Sequence, residues 1–434
     1  MEAGDARDWS ELPLDALLSV FAKLDAFNIL MGAGLVCHSW LDAAKVPSLW
    51  RCVDMASNND VKALWVWEKY FCGDIDVLRI MVKEAVDRSA GQLEVFRGYK
   101  FVDDDLLKYI GGRAPCLNVR LYYCYHILSE GFVEAINKFP PLEELELCAC
   151  VRIGGRATYE AVGKACQNLK RLKVVKVVPF GYDTSDDDEA HGISTMHGLR
   201  SLSICFSQFN NKTLSTILDN CPHLESLELN CCFYIIMDNA MQARAPSLKV
   251  LGLIFCLDIN REGFVEAINK FHLLEELKLS LCGRICNRTT YEAVGKACQN
   301  LNIFKVDKDG DRLQCIKSKD GYYYDEDDAF GIATMHGLRY LKIICSGLSN
   351  KELEAILDKC HHLKFLDLCY CPNVNMDDAM RAKCAGVKVS VCPHYYQYLA
   401  VENCYSVDDY TAENPDWSDH DNPWPLPEDS VTAT

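Results

Sequence analysis

Long apolar runs are missing from this chain. No window of 18 or more apolar residues occurs, so no membrane-spanning helix is expected. Positive charge is also in short supply: 45 Lys and Arg stand against 62 Asp and Glu, a formal net charge of −17. That balance argues against a nucleic-acid backbone or an anionic membrane as the main partner. The amino end, Met-Glu-Ala-Gly-Asp-Ala-Arg-Asp, lacks the basic and apolar regions of a secretory signal. The expected setting is therefore nucleus or cytoplasm, where the 24 cysteines are free thiols and not bridges. After Lys388 neither Lys nor Arg occurs, while residues 402–429 hold nine acidic side chains among Pro and Trp. Residues 393–434 are accordingly expected to be an acidic, disordered tail.

Motifs for chemistry are equally scarce. Cys148-Ala-Cys150, Cys231-Cys232 and Cys369-Tyr-Cys371 are close pairs, but none has a second pair at zinc-site spacing. Asp307-Lys-Asp-Gly-Asp311 has its glycine out of place for a calcium loop and no closing Glu. Gly163-Lys164 lacks the earlier glycine and the Ser or Thr of a phosphate loop. No cofactor, metal site or catalytic residue is expected.

What the chain does contain is repetition. Cys221-x-x-Leu224-x-x-Leu227-x-Leu229-x-x-Cys232 returns as Cys360-x-x-Leu363-x-x-Leu366-x-Leu368-x-x-Cys371. First leucine-type positions fall at Leu93, Leu117, Leu142, Leu169, Leu199, Leu224, Leu248, Leu274, Leu301, Leu338, Leu363 and Val387, mostly 24 to 27 residues apart. The Leu-x-Leu step makes a short strand whose alternate residues point inward, the following Cys fills the turn, and a helical stretch returns the chain. One such unit cannot bury its apolar side alone, so neighbours must stack. A larger repeat overlies this one. Gly131 to Phe139 recurs verbatim at Gly263 to Phe271, and Thr158 to Leu169 at Thr290 to Leu301, both 132 residues on. Thr195 to Arg200 returns at Thr334 to Arg339, 139 residues on. Residues 131–250 are thus duplicated as 263–389. The two wider steps carry acidic inserts, Asp183 to Glu189 and Tyr322 to Asp328, expected to be solvated edge loops.

The stretch before the repeats is different. Leu14, Leu17, Leu18, Phe21 and Leu24 fall at helical spacing, followed by Leu35-Val36-Cys37-His38-Ser39-Trp40 and Pro47-Ser48-Leu49-Trp50. About 40 residues cannot bury so much apolar surface internally. These residues resemble the F-box, and the repeats resemble the cysteine-containing leucine-rich repeat. The whole is most similar to a plant family of short F-box proteins with leucine-rich repeats, here carrying an internal tandem duplication. The resemblance implies an α/β architecture: a three-helix F-box at 9–52, a linker or first-repeat transition at 53–92, and a leucine-rich-repeat solenoid at 93–392. Its parallel strands would line a concave face and its helices a convex one.

The resemblance also implies a non-catalytic substrate-recognition subunit of a Skp–cullin–F-box ubiquitin ligase. The F-box would dock a Skp-family adaptor, and through it a cullin, with Leu12, Pro13, Leu17, Phe21, Leu30, Val36, Cys37 and Trp40 at the adaptor-contact positions. Gly32 and Gly34 depart from the family pattern, as does His38-Ser39, and a repeat scaffold whose F-box no longer recruits a ligase is the second reading. Strand residues between the leucines face the concave side, where a target protein would bind. Arg171, Lys173, Lys278, Tyr340, Lys342 and Phe365 are the candidates there, beside Glu144, Glu146, Ser226, Glu228, Glu276 and Asp367. Neither a nucleic acid nor a membrane is expected as partner. Clustered Arg and Lys of the kind an inositol-phosphate site needs are absent, which ranks a small-molecule receptor last.

Overall fold

The computed structural model describes residues 9–56, 75–114, 116–176, 186–205, 209–237, 239–307, 328–344, 347–369 and 371–392. The aromatic cluster Trp65, Trp67, Tyr70 and Phe71, the tyrosines of the second insert and the acidic tail lie outside these residues.

Pro13 opens the first helix. It has no N–H to leave unsatisfied and its fixed φ suits a helix start. Helix α1 runs Leu14–Phe21, α2 runs Ala26–Met31 and α3 runs His38–Ala44, with 3-10 turns at Ala33–Leu35 and Pro47–Trp50. Asp25 caps α2 by accepting the Asn28 N–H at 2.7 Å. Gly32 terminates α2 and Gly34 sits in the 3-10 turn, so neither occupies a helix interior. A Cβ on Gly34 would lie 2.8 Å from the Ile29 carbonyl oxygen, and one on Gly32 2.9 Å from that of Asn28. Both glycines are there because the chain passes close to itself.

Thirteen parallel strands follow in one sheet, in strict chain order, from β1 (Cys52–Asp54) and β2 (Val95–Tyr99) to β13 (Lys388–Cys392). The duplicated part comprises β4 (Glu144–Cys148), β5 (Arg171–Val175), β6 (Ser201–Cys205), β7 (Ser226–Asn230) and β8 (Val250–Ile254), then β9 (Glu276–Ser280), β10 (Ile303–Asp307), β11 (Tyr340–Ile344), β12 (Phe365–Cys369) and β13. Parallel order forces each return through a helix, such as Asn211–Asn220 between β6 and β7. Those helices carry the apolar residues that close the core: Leu214 and Ile217 pack inward with Leu202, Ile204, Leu227 and Leu229, all essentially buried. Each such side chain contributes about 1.5–3 kcal/mol by leaving water. Side-chain caps recur at the helix starts, with Asp103, Asn210, Asn260, Asn287 and Asp377 accepting backbone N–H groups two or three residues on.

Strand ends repeat a second device. Tyr123, Ala149, Cys231, Phe255 and Leu281, each just past a strand, take φ of 53–57°. A left-handed residue with a side chain costs ~1–2 kcal/mol. The cost is offset because each N–H reaches the last carbonyl of the next strand, as in Tyr123 to Cys148 at 2.8 Å and Phe255 to Ser280 at 2.8 Å. The turn aims the following cysteine inward. Cys150, Cys256 and Cys282 donate to the carbonyls of Leu121, Leu229 and Leu253, two residues inside the preceding strand's end. A second column of thiols stands at the helix ends, where Cys166, Cys221 and Cys360 reach Phe139, Met196 and Met335. Burial pushes Cys166, Cys221 and Cys298 up to about 12, so these thiols stay protonated at neutral pH.

The structure corrects several expectations. The sheet starts at Cys52, earlier than the repeat pattern, so part of the transitional segment supplies the first strand and its helix, Ile75–Arg88. Leu117 is exposed, and Cys116 fills the buried repeat position one residue earlier. The first acidic insert is not wholly solvated: its end forms the helix Asp186–Ile193, and Glu189 is 3% exposed. There Glu189 accepts the Gly155 N–H at 2.9 Å and pairs with Lys176. Asp328, closing the second insert, is buried as well.

Candidate docking surfaces

Two surfaces stand out, the outer side of the N-terminal helices and the strand face of the sheet. In the first, Leu17 and Phe21 are one turn apart on α1 and point inward, with 1% and 0% of their surface exposed. The sequence placed both among partner contacts; the structure seats them in the core, where Phe21 packs edge-on against Trp40 with centroids 5.6 Å apart. Trp40 is half-buried and donates its indole N–H to the Trp9 carbonyl at 2.9 Å. Leu12 and Leu30 are also half-buried against the core. Cys37 is half-buried with its sulfur 3.2 Å from the Ser39 hydroxyl. Of the eight residues singled out from the sequence, only Pro13 and Val36 are exposed.

The exposed apolar surface comes instead from side chains the sequence reading passed over. Leu14, Val20, Leu24 and Met31 are all exposed, and Leu35 and Val36 are 69% and 60% exposed at adjacent positions. Apolar side chains gathered in this number within about 25 residues mark a surface that meets another molecule. The opposite side of the module is closed. Trp50 is buried, donates its indole N–H to the Ala44 carbonyl at 2.9 Å, and lies under the Arg88 guanidinium of the first solenoid helix, 5.6 Å from the ring centroid. The helical module is therefore fastened to the repeats through one side and presents its other apolar side to solvent.

On the strand face, register converts sequence positions into rows. One row runs Glu144, Arg171, Ser201, Ser226, Val250, Glu276, Ile303, Tyr340, Phe365 across β4 to β12; the next runs Glu146, Lys173, Ser203, Glu228, Gly252, Lys278, Lys305, Lys342, Asp367. All six residues selected from the sequence for this face stand in these rows, and the register brings Lys278, Tyr340, Lys342 and Phe365 within four adjacent strands. Arg171 and Phe365 are exposed, Lys173, Lys278 and Tyr340 half-buried, and Lys342 is enclosed beside Asp367 at 3.4 Å. The sequence reading missed Ile303 and Lys305, which complete the rows on β10; the signal was the same alternation, hidden because Ile303-Phe304-Lys305 lacks the leucines.

Carboxylates answer most of these cations. Arg171 pairs with Glu144 at 2.9 Å and Lys173 with Glu146 at 2.8 Å. Burial works against the Glu146 carboxylate, but Lys173 and Arg120 prevail and hold it below the usual carboxylate range. Lys305 pairs with Glu276 at 2.7 Å and lies over the Tyr340 ring. Gly252 has no side chain to block Lys278, which reaches across β8 to Glu228 at 3.5 Å. Among the described residues no group of three or more His, Cys, Asp or Glu is placed to hold a metal ion. No helix of the described residues is long and apolar enough to cross a membrane.

A three-helix module with an outward apolar side, joined to a parallel-strand repeat array, defines the class of F-box proteins with leucine-rich repeats. Residues 9–56 match the F-box-like family model. The chain is 38% identical over 254 residues to F-box protein SKIP19 of Arabidopsis thaliana, covering 58% of this chain and 78% of that protein. It is 36% identical over 241 residues to putative F-box/LRR-repeat protein 23 of the same plant, covering 55% of this chain and 51% of that one. The crystal structure of the yeast Rad7 and Elc1 complex contains a chain with the same fold, at TM-score 0.50 and 13% identity, covering 89% of this chain and 94% of that chain. The chain belongs to the plant F-box/leucine-rich-repeat family. Proteins of this family are in general non-catalytic adaptors, and the F-box implies binding to a Skp1-type adaptor.

Proposed function

We propose that this chain is the substrate-recognition subunit of a Skp–cullin–F-box ubiquitin ligase. The F-box docks the adaptor, the adaptor brings the cullin, and the strand face holds a target protein near the charged conjugating enzyme. The contribution to catalysis is proximity: holding target and donor together replaces a bimolecular encounter with an intramolecular one. The observation that carries the reading is the pair Leu35 and Val36, exposed side by side on a module whose other side is sealed against the repeats. Partner contact is thereby assigned to Pro13, Leu14, Leu35 and Val36, while Leu17 and Phe21 hold the helices that present them.

The second reading, a scaffold with a degenerate F-box, rested on helix-breaking glycines. Gly32 and Gly34 lie at a helix end and in a 3-10 turn. The ~1 kcal/mol helix-interior penalty does not apply there, which removes that support. Co-elution tests the proposal directly. The purified chain, mixed with a plant Skp-family adaptor and a cullin amino-terminal domain, is expected to leave a sizing column as one ternary complex. Separate elution of this chain from the adaptor would contradict it.

A further inference from the structure

The internal duplication provides a comparison within one molecule. Inward positions of the two copies are nearly the same. Leu145 and Leu147 match Leu277 and Leu279, Leu202 and Ile204 match Leu341 and Ile343, and Leu227 and Leu229 match Leu366 and Leu368. The strand face has changed in one direction. Where the first copy has Arg171, Ser201 and Ser226, the second has Ile303, Tyr340 and Phe365; where the first has Glu146, Lys173 and Ser203, the second has Lys278, Lys305 and Lys342. Three lysines now stand on consecutive strands about 4.8 Å apart, beside an apolar row on β10 to β12.

This arrangement works against the fold's own stability, because like charges directly across a strand pair repel and an aromatic such as Phe365 gains nothing by standing 45% exposed. Local rules broken together without a packing gain mark positions kept for binding. The available carboxylates cover only part of the charge: each of the three lysines has one carboxylate, at 2.7–3.5 Å, and an ammonium carries three donors. Over β9 to β13 the cations Lys278, Lys305, Lys342 and Lys388 face only Glu276 and Asp367. A basic surface in a chain of net charge −17 is a local exception. We infer that the strand face of the second copy, centred on Lys278, Lys305, Ile303, Tyr340 and Phe365, binds an acidic protein segment with apolar anchors. Its carboxylates meet the lysine row and its apolar side chains meet the neighbouring row, and the first copy's equivalent surface does not take that ligand. The inference rests on the solenoid being the target-binding part.

The test is fluorescence anisotropy of the full chain with a labelled peptide of alternating Glu and Leu. It is expected to bind, more weakly as salt rises, while alternating Lys-Leu and Glu-Ser peptides do not. Lys278→Glu with Lys342→Ser, and separately Tyr340→Ser with Phe365→Ser, install the residues the first copy tolerates at these places. Each is expected to weaken binding at least about tenfold with melting unchanged, whereas Lys173→Ser in the first copy leaves it within about twofold. Equal loss from Lys173→Ser, equal binding of the Lys-Leu peptide, or no binding at all would overturn the inference. Tighter binding of a peptide of the chain's own residues 402–429 would also overturn it by giving the face an internal occupant. Adaptor capture by the same variants separates the two levels. Capture retained with no peptide bound defeats only this inference, whereas capture failing in the unaltered chain defeats the ligase reading.

Discussion

In the solenoid, Leu202, Leu227 and Leu251 each lie between strands on both sides and a helix above, and none is more than 2% exposed. In the F-box, Leu14, Leu35 and Val36 are just as apolar and lie half or more in solvent. The difference follows from what each unit has for neighbours. A repeat is covered by the next repeat, so its apolar positions close by translation. The F-box has one neighbour only, the Ile75–Arg88 helix beyond Trp50, and its other side stays open. The same residue types therefore stabilise the fold in one region and wait for a partner in the other.

Substitutions can break that contrast. The largest effect is expected in the repeats: Phe264→Ala, at a fully buried helix position, should cost about 3–5 kcal/mol, read as a lower denaturant midpoint, with adaptor affinity unchanged where the chain remains folded. Next comes Leu17→Ala, which should cost about 2–4 kcal/mol and weaken adaptor binding only through loss of F-box structure. An undiminished F-box melting transition would return Leu17 to the contact set. Cys256→Ala removes a buried thiol and its bond to Leu229, and should cost ~1 kcal/mol. In the same experiment, alkylation of the native chain at neutral pH should reach exposed Cys52 well before Cys166, Cys221 and Cys298, whose thiols burial keeps protonated.

The smallest effect concerns the first copy's ion pairs. Because Lys173 depresses the folded-state Glu146 carboxyl, that pair adds stability above the unfolded carboxyl's pKa and loses it as pH falls through the folded value. Glu146→Gln should therefore cost under ~1 kcal/mol at neutral pH and nothing in acid, measured by urea unfolding across pH. A cost that persists in acid would mean the glutamate acts by packing instead.

Much of this was legible in the residues because translation leaves a periodic record. Leu-x-x-Leu-x-Leu gave β4 to β12, and the face rows followed from alternation alone. Where the pattern is short or off by one, legibility fails: Cys52-Val53-Asp54 is too brief to read as a strand, and Cys116 fills a place that neighbouring Leu117 seemed to claim. The F-box was legible as a module but not by face. Leu14, Leu17 and Phe21 share helical spacing, and nothing in that spacing tells which of them meets α3 and which meets solvent. Gly34 reads as a flaw until the Ile29 carbonyl is seen 2.8 Å from where its Cβ would stand.

One measurement bears most directly on the open side of the F-box: adaptor affinity by titration calorimetry for the native chain and for Leu35→Asp with Val36→Asp. Both side chains are already in solvent, so melting should not move while adaptor affinity falls at least about a hundredfold. Unchanged affinity with unchanged melting would contradict the account.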